Sequence, residues 1–140
     1  RDWVMKNRCL LLFFILVSCG CSTLSDAPRN LVGISTKEME DARGQSVYQS
    51  YDCQSSQCFS AVVEVMEENK IKIFSRDEKR GLIVLMGVPG VVDTTEVGVF
   101  FSQIAQEKVV KVEVASRSAP AKRKVARLIF SKLSAAFRNK

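Results

Sequence analysis

The chain has 140 residues, 46% of them hydrophobic and 26% charged, with a formal net charge of +6; that is enough for one folded domain and too short for two comfortable ones. It contains no histidine, which excludes the Ser-His and Cys-His nucleophile pairs, the commonest general base and the usual His-containing zinc sites. Its 7 glycines are scattered singly and form no phosphate-cradling loop, so a non-enzymatic protein without cofactor or metal is expected.

The N-terminal stretch "MKNRCLLLFFILVSCG" begins at Met5, the expected start, with residues 1–4 lying upstream of it. Lys6 and Arg8 precede an unbroken apolar run from Cys9 to Val17, and polar residues follow from Ser18. A bilayer-spanning helix needs about 20 apolar residues at about 1.5 Å each. The run is far shorter, and its flanks are those of a signal peptide covering residues 1–18. Arg1, Lys6 and Arg8 against Asp2 account for +2 of the net charge, leaving +4 for the remainder. A balance that mild gives no reason to expect nucleic acid as a partner.

"LVSC", Leu16 to Cys19, resembles the lipobox of bacterial lipoproteins: aliphatic, tolerant, small, then cysteine. The resemblance implies cleavage before Cys19 and a diacylglycerol thioether on its sulfur. Two or three acyl chains anchor stably, since each buried CH₂ contributes about 0.8 kcal/mol. Gly20 after the cysteine, by the sorting rule of such proteins, favours the periplasmic face of the outer membrane over the inner membrane. Cys21 has Ser18 at the aliphatic position and is read as a tethered spectator.

Residues 19–45 read as lipidated terminus and tether. "STLSDAPRN" has loop composition, and "STKEMEDARG" carries a capping-box pattern, Ser35 with Glu38. A short helix is expected there, with too few apolar positions to dock firmly.

Residues 46–140 carry the folded module. "SVYQSYD" has strand composition, with Val47, Gln49 and Tyr51 on one side and Tyr48 on the other. In "SSQCFSAVVEVMEENK", Cys58, Phe59, Val62, Val65, Met66 and Asn69 fall on one helical stripe, with Ser55 or Ser56 as N-cap. "IKIF" and "GLIVLMGV" form a hairpin across the charged turn "SRDEKRG". "TTEVGVFFSQI" and "KVVKVEVAS" give two further strands; in the second, Val110, Val112 and Val114 alternate with Lys111 and Glu113, one face buried and one wet. The closing helix opens near Pro120, with Val125, Leu128, Ile129, Leu133, Ala136 and Phe137 on its inner stripe. The order β-α-β-β-β-β-α predicts an α+β fold: an antiparallel sheet of four to five strands with two helices packed on one face.

That order resembles the helix-grip-like modules of envelope lipoproteins, including the lipoprotein of the outer-membrane barrel-assembly machinery. "GISTKEMEDAR" after the anchor and "DTTEVGVFF" in a middle strand are similar to a family of small bacterial lipoproteins. The resemblance implies an anchored α+β module and brings no activity with it.

Three features remain as candidate sites. Cys53 and Cys58 in "CQSSQC" suit a disulfide in an exported protein, with Cys58 as a small core residue the alternative. Asp93 and Glu96 are a carboxylate pair without a recognisable partner and read as solvated. Lys122, Arg123, Lys124 and Arg127 give the closing helix a basic surface, suited to a solvated face or to contact with anionic lipid. The expected function is recognition: a lipid-anchored envelope module that meets the membrane through its anchor and an envelope protein through a strand edge or a groove between helices and sheet. A small hydrophobic ligand gripped between helices and sheet is the alternative.

Overall fold

The computed structural model describes residues 37–92, 96–104 and 108–138. Thr36–Lys140 forms one compact α+β unit. Five strands make a single sheet: β1 (Val47–Asp52), β2 (Lys72–Asp77), β3 (Leu82–Met86), β4 (Val97–Gln103) and β5 (Val109–Ala115). Their spatial order is β1-β5-β4-β3-β2, every neighbouring pair antiparallel, so β1 and β2 are the edges. Helices α1 (Ser55–Glu68) and α2 (Ala119–Ala136) pack side by side on one face. The predicted element order and layer arrangement are those observed.

The apolar pattern explains the layering. Val97, Val99 and Phe101 of β4 and Val110, Val112 and Val114 of β5 point to the helices, as the two-residue period requires. They meet Cys58, Phe59, Val62, Val65 and Met66 of α1 and Val125, Ile129 and Leu133 of α2. Full burial of each such aliphatic side chain stabilises the fold by about 1.5–3 kcal/mol. Of the expected inner positions on α2, Leu128 and Phe137 are only partly buried and Ala136 is exposed, while Ala121 and Ala126 are buried instead. Asn69 likewise leaves the α1 stripe: it is exposed, and its side-chain amide donates to the Val65 carbonyl at 2.8 Å, closing the helix end.

Chain reversals follow local chemistry. Gln54, rather than either serine, caps α1; its backbone N–H donates to the Gln57 side chain at 3.2 Å. Ser118 caps α2, accepting from the Ala121 N–H at 3.3 Å, and Pro120 lies in the first turn. In the β2–β3 turn the Asp77 carboxylate accepts from the Arg80 N–H at 3.1 Å. Gly81 then takes φ +61°, where a Cβ would lie 2.4 Å from the Phe101 carbonyl oxygen, so only glycine fits.

The second face of the sheet is not left to water. Residues 37–41 are helical and run into a 3₁₀ turn, Ala42–Gln45. Met39 is 2% exposed and packs with Leu82, Val84, Phe100 and Ala115. Residues 37–45, read from sequence as weakly docked tether, therefore belong to the folded unit. The reason is a second apolar stripe that β3 and β4 supply on their alternate positions. Ser35, the other half of the expected capping box, lies outside the described residues.

Candidate functional site

The outer face carries the most buried charge. Glu113 is 6% exposed, which corrects the expectation of a wet face on β5. Its carboxylate accepts from the Arg43 guanidinium, from Lys111 Nζ at 3.1 Å and from the Ser46 hydroxyl at 3.4 Å. Burial pushes the Glu113 pKa up, but the hydrogen bonds and charges of Arg43 and Lys111 outweigh it and hold it below the ordinary carboxylate value. Arg43 also lies over the Phe100 ring at 4.5 Å, and Lys111 over Tyr48 at 4.3 Å. Each charge is answered and each cation stacked, so the cluster is built to hold residues 37–45 on the sheet. Sequence reasoning missed it because Arg43 and Glu113 are 70 residues apart and meet only through the sheet register.

The expected cysteine pair is bonded in the structure: Cys53 and Cys58 form a disulfide with Cα atoms 6.2 Å apart, tying the end of β1 to the first turn of α1. Both are buried. Cys19, Cys21 and Asp93 lie outside the described residues. Glu96 precedes β4, half-buried, with its carbonyl accepting from the Ser116 hydroxyl at 2.8 Å. Among the described residues no group of Cys, Asp or Glu is placed to hold a metal ion.

The basic surface of α2 divides in two. Lys122 Nζ donates to the Gln45 carbonyl and Lys124 Nζ to the Pro89 carbonyl, so both hold the fold. Arg123 and Arg127 are exposed and pair with no carboxylate among the described residues. Further along, Lys132 joins α2 to α1 through Glu64 and Glu68; the hydrogen bond to Glu68 raises its pKa.

Arg123 and Arg127 line an open groove of about 620 Å³ between α2 and the β1 edge, with Val47, Ala126 and Phe130 as its apolar floor. Among the described residues, none that lines the groove is acidic. Tyr51, fully buried beneath, brings its hydroxyl to 2.6 Å from the Gln49 side chain and 3.4 Å from the Phe130 carbonyl, which fixes α2 against β1. Burial raises the Tyr51 pKa, so the phenol stays neutral and donates.

The two sheet edges differ. β2 carries Lys72, Arg76 and Asp77 and is broken by an irregularity between Ile73 and Ser75, both common devices against unwanted strand pairing. β1, "VYQSYD", keeps unbroken register with β5 over six residues and has one charge, at its last position. Val47 and Tyr48 remain exposed along it.

No protein-family model matches the chain, and no curated protein is significantly similar to it. Function must therefore be argued from the chemistry of these surfaces. Among the described residues no helix is long and apolar enough to cross a membrane.

Proposed function

We propose that the chain is a lipoprotein of the bacterial cell envelope, of the family of small lipoproteins it resembles. Lipid on Cys19 holds it at a membrane, the periplasmic face of the outer membrane being favoured, and its α+β module binds another envelope protein without catalysis. The observation that carries the binding role is the edge of β1, unbroken in register and charged only at Asp52, beside the basic groove of α2. The anchor rests on "LVSC" directly after the apolar run.

The charged clusters suit a scaffold rather than a reaction centre. Glu113 is answered by Arg43 and Lys111 on the sheet, and Lys132 pairs with Glu64 and Glu68 across the exposed seam of the two helices. A hydrophobic ligand between helices and sheet would need space now taken by Tyr51, Met66, Ile129 and Leu133, all fully buried.

Site-specific photocrosslinking in living cells tests the proposal. A photoreactive residue at Val47 should give one discrete protein adduct, and one at Phe74 on the β2 edge should give none. No adduct at Val47, or the same adducts from both edges, would overturn it.

A further inference from the structure

The β1 edge has a defined polarity. Asp52 donates its N–H to the Arg138 carbonyl at 3.0 Å, away from β5. In an antiparallel ladder the N–H and C=O of one residue point the same way and alternate along the strand. The backbone groups of Tyr48 and Ser50 therefore also point outward. Two contacts bound this stretch: Lys122 holds the Gln45 carbonyl at one end, and Arg138 accepts from Asp52 at the other. Between them lie about six residues, or roughly 20 Å at about 3.3 Å each.

Arg123 and Arg127 line the groove beside that edge four residues apart, about 6 Å along the helix axis. Alternate residues of a strand recur at about 6.7 Å on one face, a mismatch that long arginine side chains absorb. An added strand with carboxylates at two alternate positions would meet both guanidinium groups. Its methylene stems would cover Val47 and Phe130.

We propose that the β1 edge and the α2 groove together bind an extended acidic segment of the partner protein, added as a sixth antiparallel or parallel strand, with carboxylates at positions i and i+2 held by Arg123 and Arg127. The inference rests on the partner-binding reading above and names the chemistry of the partner. Charge complementarity decides the occupant. A second copy pairing β1 to β1 would bring two sets of arginines together, and a lipid surface would leave the outward amides of Tyr48 and Ser50 without partners.

The test uses the full chain in uncharged lipid nanodiscs and a capped seven-residue peptide of alternating glutamate and threonine. Hydrogen exchange at Tyr48 and Ser50 should slow on adding the peptide. Binding should fall about tenfold or more in Arg123→Glu/Arg127→Glu, as loss of charge-assisted hydrogen bonds predicts. Backbone N-methylation of the peptide at alternate residues should abolish binding in one frame and spare it in the other. An unchanged thermal unfolding midpoint in the double variant would show that the loss is not unfolding.

Equal binding of a lysine-threonine peptide would overturn the inference. So would protection of β2 instead of β1, or protection without peptide that grows with protein concentration (a second copy) or appears only with anionic lipid. Crosslinking at Val47 without protection by the acidic peptide would overturn this inference while leaving the partner-binding reading intact.

Discussion

Arg43 donates to the buried carboxylate of Glu113 from a 3₁₀ turn 70 residues earlier in the chain, and so closes the outer face of the sheet. The contact converts a segment that would otherwise lead away from the domain into part of it. Lys111 and Ser46 complete the shell around the same carboxylate.

Acid should release this contact. The folded pKa of Glu113 lies below its ordinary value of 4.5. A depressed carboxylate stabilises the fold fully above that value and loses its contribution as pH falls through the lower folded value. Wild type should therefore lose stability below about pH 4.5 more steeply than Glu113→Gln, compared by urea unfolding across pH. At neutral pH, Arg43→Ala should cost about 1–3 kcal/mol, because Lys111 still faces the carboxylate.

Met39 offers an independent test of the same docking. It is 2% exposed against Leu82, Val84 and Phe100. Met39→Ala should cost about 2–4 kcal/mol in denaturant unfolding, whereas a solvated tether would lose less than about 0.5 kcal/mol.

These two residues also mark where sequence stopped being legible. Strands with strict alternation, such as Val110, Val112 and Val114, declare their buried face, and the stripes of α1 and α2 declare theirs through helical spacing. The antiparallel sheet and the helix layer followed, whereas the pairing of β1 with β5 came only from the fold. Met39 is one apolar residue among charges, and its burial depends on β3 and β4 presenting Val84 and Phe100 on their second face. Glu113 looks wet in "KVEV" because alternation names a face without naming what covers it. The basic residues of α2 were legible as a group. Their division into Lys122 and Lys124, which hold carbonyls, and Arg123 and Arg127, which border the groove, needed the fold.

The Cys53–Cys58 bridge closes a short loop, five residues apart in sequence. Loop-closure entropy for so small a ring predicts about 2 kcal/mol of stabilisation. Reduction of wild type, and the double variant Cys53→Ala/Cys58→Ala, should lower the urea midpoint by similar amounts. If reduction leaves the midpoint unchanged, the bridge does not contribute.

Gly81 and Gly87 separate backbone strain from steric collision. Both have positive φ, +61° and +65°, but only a Cβ at Gly81 would strike the neighbouring strand. Gly87→Ala should cost about 1 kcal/mol for the left-handed conformation alone. Gly81→Ala should cost distinctly more, by calorimetric unfolding of the two variants side by side.

The most direct test of the envelope-lipoprotein reading is the intact mass of the full chain expressed in a bacterial host, wild type beside Cys19→Ser. The account predicts a wild-type polypeptide beginning at Cys19 and carrying acyl groups, with neither cleavage at that bond nor acylation in the variant. An unacylated wild-type chain that retains residues 5–18 would contradict it.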